Sequence, residues 1–305
     1  MTRRTRALLL YNPSATTTTP AVIDVISHAL AAELRLDVES TQRRGHAISL
    51  SARAVRAGYD VVVVLGGDGT VNEALQGIAR SGVRLAIIPG GSANVWARTL
   101  GLPNDAVEAT SVVLRKLRER DSRSVGLGVA NGRYFGFCAG LGFDGTVVRM
   151  VEERLLLKRT ARQATFFWCG ILAYLATLRT DVCMSLSVDG IPSDDRLRTV
   201  VACNSNPYTF LGKLPARLCP RAELNAGLDL TGLTDTRVTT LARVAYRALT
   251  GDGVNRLRHV RGWHDHRLYE LRCTAPVALH VDGEYLGETD HLMLTSVPDA
   301  CSVIA

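Results

Sequence analysis

The sequence predicts an α/β N-terminal domain, a parallel sheet with helices on both faces, followed by a mainly antiparallel β domain. Three observations predict it. Up to about Asp121, short apolar runs alternate with helical patterns, the signature of strands joined by crossover helices. The run Val61–Leu65 is apolar throughout, as in a strand covered on both faces. Beyond Asp121, strand-like runs are joined by Asn-Gly and Asp-Gly, the strongest short hairpin signals. The expected domains are therefore 1–121 and 122–305, with the last residues able to return to the first domain.

The elements follow in order. "RALLLY" from Arg6 reads as a strand. "TPAVIDVISHALAAEL" reads as a helix with Thr19 as cap, Pro20 in the first position, and Val22, Ile26, Ala29 and Leu30 on one face. "RLDVES" is a second strand, and "HAISLSARAVRAG" a helix closed by Gly58. "DVVVVL" is a third strand, and "TVNEALQGIARSG" a helix striped by Val71, Ala74, Leu75 and Ile78. "RLAIIP" is a fourth strand. Asp105 and Glu108 open the next helix at capping-box spacing. "SRSVGLGVANGRYFGFCAG" is a hairpin about Asn131-Gly132, and "VCMSLSVDGIPSDDRLRTVVACNS" and "RLYELRCTAPVALHVDGEYLG" read as further hairpins. Residues 147–180 read as helical.

Composition narrows the class. Apolar residues make up 47% and charged residues 21%, which suits a globular chain with a substantial core. A net charge of +7 points to an anionic partner such as a nucleotide or acidic lipid headgroups. The seven cysteines show no CxxC and no close Cys/His spacing, so they read as reduced core residues rather than disulfides or zinc ligands. The apolar run of "MTRRTRALLLYNP" ends at Asn12, too short for a signal peptide. "FFWCGILAYLATL", 166–178, is shorter than the ~17–25 residues that span a bilayer. It reads as a buried helix or one lining a lipid entrance.

The chemistry concentrates at strand–helix junctions. Phosphate binds where several N–H groups point at it and no side chain intervenes, and glycine also permits positive φ. Gly66, Gly67 and Gly69 end the third strand, with Thr70 opening a helix, on the edge where open α/β sheets bind ligands. Asp68 sits where a carboxylate can hold Mg²⁺. A second such junction, "IIPGGSANVWARTLGLP", offers Ser92 as a donor and Asn94 to orient the loop. Asn12 and the hydroxyls from Ser14 to Thr19 fall on the same edge. A P-loop, a GxGxxG turn after the first strand, and Ser–His–Asp and HExxH patterns are all absent. His264 and His266 in "GWHDH" lack an evident third metal ligand.

"GGDGTVNEAL", "PGGSANVWARTLGLP", "AGLGFDGTVV" and "HVDGEYLG", in this order, resemble the diacylglycerol kinase catalytic-domain superfamily, which includes bacterial diacylglycerol kinases, sphingosine kinases and ceramide kinases. Asn12-Pro13, and Thr41 with Gly45-His46-Ala47, match its N-terminal motifs. The resemblance covers almost the whole chain. It implies a C-terminal β-sandwich, ATP with Mg²⁺, and a lipid substrate at the membrane surface. It further implies cytoplasmic localisation with peripheral association at the inner face, no nucleic-acid partner, and a homodimer as an open alternative. Asn12, Thr41, the stretch Gly66, Gly67, Asp68, Gly69, Thr70, Val71, Asn72, and Ser92 would line the nucleotide. Asp282 and Glu284 match the catalytic acid segment, with the glutamate as proton acceptor. On residues alone, that segment is simply a hairpin turn.

The chain departs from the family twice. No glycine follows Asn12-Pro13 closely, and Ala226 stands before Gly227 where the bacterial lipid kinases place a metal-binding aspartate. Any structural magnesium would then fall to Asp229. The expected activity is phosphoryl transfer from ATP to a lipid hydroxyl, with diacylglycerol the default acceptor. An NAD kinase sharing GGDGT and a non-catalytic lipid- or nucleotide-binding regulator are the rival readings.

Overall fold

The computed structural model describes residues 4–155 and 182–305. They form two compact units, 1–127 with 298–305, and 128–297. The division thus falls six residues beyond Asp121. The apolar stretch 166–178 and its basic neighbours Lys158, Arg159 and Arg162 lie outside the described residues.

The first unit alternates β1 (Arg6–Tyr11), α1 (Pro20–Glu33), β2 (Arg35–Ser40), α2 (His46–Arg56), β3 (Val61–Gly66), α3 (Asp68–Ile78), β4 (Arg84–Pro89), α4 (Val95–Thr99) and α5 (Ala106–Glu119). The strands run parallel in the order β4–β3–β1–β2, and Val303 and Ile304 pair with Leu85 and Ala86 beside β4. Alternate strand residues face opposite sides. Leu9, Val63 and Ile88 pack on Ile26 and Leu30 of α1 and Val113 of α5. Helices α2 and α3 pair closely with each other, and α3 lies on β3 and β4. Five consecutive strand residues, Val61 to Leu65, are accordingly fully buried. Helix starts follow local chemistry: Thr19 accepts from the Val22 N–H, and Asp105 from those of Val107 and Glu108. Gly77 makes the α2–α3 contact close, since a Cβ there would lie 2.7 Å from Ala52 N and Ile48 O.

The second unit is mainly antiparallel. It contains β5 (Arg123–Ala130, shared across the boundary), β6 (Arg133–Phe135), β7 (Cys138–Leu141), α6 (Phe143–Leu155), β8 (Met184–Val188), β9 (Ile191–Leu197), β10 (Thr199–Cys203), β11 (Thr209–Leu211), β12 (Leu214–Ala216), β13 (Leu228–Leu233), α7 (Val238–Thr250), β14 (Val260–His266), β15 (Leu268–Val281) and β16 (Glu284–Ile304, also shared across the boundary). Neighbouring strands run β14–β13–β10–β7–β15–β16, with β8 and β9 added on β15. Three hairpin tips, Asn131-Gly132, Asp189-Gly190 and Asp282-Gly283, take positive φ at both residues, the twist-matched turn anticipated from sequence. The main core joins Phe135, Leu186, Leu230, Tyr269 and Leu292, and a smaller one lies under α7 around Val244, Ala248 and Val260. Helix α7 has no counterpart in the sequence reading. It starts at Arg237 without a side-chain cap and on the β-branched run Val238–Thr240, so the usual start signal is missing.

Candidate active site

The parallel strands of the first unit bring four loops to one edge. Asn12 N–H bonds Leu65 O at 3.1 Å, Thr41 N–H bonds Tyr11 O at 2.9 Å, and Gly90 N–H bonds Gly66 O at 2.8 Å. Side chains tie the same loops: Asn12 Nδ2 donates to Thr70 Oγ1 at 3.3 Å, and Thr16 and Ser92 hydroxyls meet at 3.2 Å. Asn12, Thr41, the 66–72 stretch, Ser92 and Asn94 thus share one edge. Val71 and Asn72 are buried in α3 behind it.

The glycines serve close approach. None of Gly66, Gly67, Gly69, Gly90 and Gly91 has positive φ, so that part of the expectation does not apply. A Cβ on Gly91 would fall 2.7 Å from Gly67 Cα, and one on Gly90 3.0 Å from Gly66 Cα. Two backbones touch there, which accounts for Gly67, Gly90 and Gly91, while a Cβ on Gly66 would lie 3.0 Å from the Thr70 side chain. Gly69 is different. It is exposed in the first turn of α3, and a Cβ there would meet nothing within 4 Å. The fold does not need a glycine at this position. A missing side chain at a helix N-terminus leaves the backbone N–H groups open to an approaching anion. Gly69→Ala should leave thermal stability unchanged or raised by up to ~1 kcal/mol, the helix preference for alanine. The same variant should raise KM for ATP more than tenfold. Unchanged KM would remove phosphate from this turn.

Asp68 is held in place. Its Oδ1 accepts from the Trp96 N–H at 3.1 Å, bridging the α3 start to α4. Burial lowers the pKa of Arg98, and the charge of Asp68 opposes that shift. Asn94 braces its own loop: in the left-handed conformation, it accepts from Gly91 N–H and donates to Gly91 O, both at 2.9 Å, and to Asn104 at 2.7 Å. Glu73 escaped the sequence reading. Buried in α3, it accepts from the N–H groups of Gly45 (2.7 Å) and Ala47 (3.1 Å), capping α2 and fixing the loop after Thr41. The α2 N-terminus has no cap from the Gly45 side, so Glu73 supplies it from 28 residues on.

In the second unit, the Asp282-Gly283-Glu284 turn separates its two carboxylates. Asp282 is 5% exposed and accepts three backbone N–H groups, from Gly136 (2.7 Å), Phe137 (3.0 Å) and Cys138 (3.0 Å). It organises the β6–β7 connection. Asp282→Ala would strand three buried donors and should cost about 3–5 kcal/mol, read from urea unfolding. Glu284 instead meets Arg133, with Nη2 to Oε2 at 2.6 Å. Arg133 lies 151 residues away in sequence and follows the Asn131-Gly132 turn. Asp144 of the "GFD" motif accepts from Tyr208 (2.8 Å) and contacts His280 Nε2 (2.5 Å). Burial first, then Asp144, pushes the Tyr208 hydroxyl pKa well up.

Asp229, the carboxylate left for a structural magnesium, has one oxygen engaged. Its Oδ1 meets His264 Nδ1 at 2.6 Å and accepts from Asp265 N–H at 3.0 Å, while Asp265 accepts from Gly227 N–H at 2.6 Å. Among the described residues, no group of three or more His, Cys, Asp or Glu gathers for a metal. For ATP-bound magnesium, Asp68 fits, because that ion takes one or two carboxylates and completes its shell with phosphates and water.

Residues 6–128 match the diacylglycerol kinase catalytic domain model. Residues 138–305 match the YegS C-terminal NAD kinase beta sandwich-like domain model. The chain is similar to a diacylglycerol kinase of Bacillus subtilis, 28% identical over 92% of this chain and 90% of that one. A diacylglycerol kinase of Staphylococcus carnosus is 26% identical over 93% and 90%. A crystal structure of a diacylglycerol kinase from Bacillus anthracis superposes with TM-score 0.72 at 21% identity, covering 100% of this chain and 98% of that one.

Proposed function

The chain belongs to the diacylglycerol kinase catalytic-domain family, and from that premise we propose that it transfers the γ-phosphoryl group of ATP to the hydroxyl of diacylglycerol. One observation carries the nucleotide half: Gly69, a glycine the fold does not require, open to solvent at a helix N-terminus beside Asp68. Phosphoryl transfer asks for positioning, charge neutralisation and a proton acceptor. The 66–69 turn and the hydroxyls of Thr16 and Ser92 receive the phosphates, with Asn12 and Thr70 bracing the turn. Thr41 shares the edge and completes the nucleotide site. Asp68 would hold a magnesium ion brought in with ATP, which would supply charge neutralisation.

Glu284 accepts the proton of the lipid hydroxyl. Arg133 orients it. Asp282 shapes the turn that presents it. The enzyme works at the cytoplasmic face of the membrane as a peripheral protein; among the described residues, no helix is long and apolar enough to cross a bilayer. Labelled ATP offered in parallel to diacylglycerol, a sphingoid base and NAD⁺ tests this reading. Label in phosphatidic acid is the expected result. Label in NADP⁺ or in no acceptor overturns it.

Magnesium enters only with the nucleotide in this scheme. Activity should saturate once ATP is fully complexed, with no second metal requirement. Ala226→Asp should then add a second, tighter metal dependence, measured as rate against free Mg²⁺ at saturating MgATP.

A further inference from the structure

Hairpin β11–β12 and helix α7 form a surface in the second unit that the reaction does not use. Leu211 and Leu214 are cross-strand partners at the hairpin tip, yet they are 53% and 58% exposed. Gly212 and Lys213 join them and are exposed. The hairpin is anchored to α7: Arg217 N–H bonds Ala248 O at 2.7 Å, and Leu218 and Leu241 pack on one small core with Val244. On α7, Tyr246 is 65% exposed, and Ala242, Arg243 and Ala245 are exposed with it.

The charges on these two segments have one sign. Residues 207–221 carry Lys213, Arg217 and Arg221 and no carboxylate; residues 238–250 carry Arg243 and Arg247 and no carboxylate. Arg237, at the helix cap, is paired with Asp235 and is set aside. Large apolar side chains at a tip, on segments whose only charged residues are cations, match a bilayer bearing anionic headgroups; Arg247 also donates to the Asp252 carbonyl at 3.1 Å. The cations meet phosphates, and the leucines and the tyrosine enter the headgroup–acyl boundary. A nucleic acid would satisfy the cations and leave the leucines in water. We propose that the β11–β12 tip and the exposed face of α7 dock the protein on an anionic lipid surface.

The choice of a bilayer rests on the lipid-kinase reading, but the test does not need turnover. Wild-type protein, without ATP, is sedimented with vesicles of phosphatidylcholine alone or mixed with phosphatidylglycerol. Binding only to the mixed vesicles, weakening with salt, is expected. Leu211→Ser/Leu214→Ser should bind more than about tenfold more weakly at unchanged melting temperature, because two apolar side chains no longer leave water. Arg243→Gln and Arg247→Gln should each cost about fivefold, the weight of one cation near a charged bilayer. If the leucine variant binds like wild type, or wild type binds both vesicles equally, the surface does not dock on lipid. Capture by RNA without vesicle binding overturns it too. A kinase inactive on every acceptor that still shows the expected vesicle pattern leaves this surface standing while the catalytic reading falls.

Discussion

In the Glu284→Gln enzyme, kcat falls by about 10²- to 10⁴-fold, the usual share of general-base catalysis, while ATP affinity holds. The substitution suits the site. Arg133 donates to Oε2 of Glu284 at 2.6 Å, and a glutamine oxygen still accepts that bond, so the turn keeps its shape. Proton affinity is lost, together with the charge of the ion pair to Arg133. Rates across pH and nucleotide binding by calorimetry check it together. If ATP binding collapses while the rate at saturation survives, the glutamate serves nucleotide binding and the proton goes elsewhere. Asp282 cannot stand in, since its carboxylate is committed to three backbone donors.

The second large effect is at Asp68. Asp68→Asn retains an oxygen for the Trp96 N–H and removes the charge, so α4 stays seated. Turnover should drop more than tenfold, a barrier increase above about 1.4 kcal/mol, and the Mg²⁺ concentration for half-maximal rate should rise. Asp68→Ala should lose the same rate and also the bridge between the two helices, worth about 0.5–2 kcal/mol as for a helix cap. A smaller drop in Asp68→Asn assigns the carboxylate to structure alone. The two variants separate charge from geometry, which alanine by itself cannot do.

Periodicity made the parallel sheet and its helices legible, because a buried strand such as Val61–Leu65 and a striped helix such as α3 declare themselves within a dozen residues. Hairpin turns were legible for the same local reason: Asp-Gly and Asn-Gly tolerate the positive φ those turns need. Long-range contacts were not. Glu73 reads in sequence as one more helix residue, and only the fold delivers it to the α2 N-terminus, 28 residues back. Arg133 and Glu284 carry no mutual signal across 151 residues. The glycines were recognised, but their packing role was not. Gly90 and Gly91 are small because the two loop backbones would collide otherwise, Gly67 faces Gly91 closely and Gly66 abuts the Thr70 side chain, which a motif cannot distinguish from room for phosphate.

That backbone contact has a thermodynamic consequence. With Gly90 N–H on Gly66 O and Gly91 against Gly67, the two loops have no slack to take up when a nucleotide arrives. Little conformational entropy is left to lose, so preorganisation should favour the binding free energy. Titration calorimetry of ATP should accordingly show a small heat-capacity change for this site, with none of the large negative values that mark folding coupled to binding. Prying the loops apart with Gly91→Ala should turn the same titration into one with a steeper temperature dependence and a larger entropic penalty.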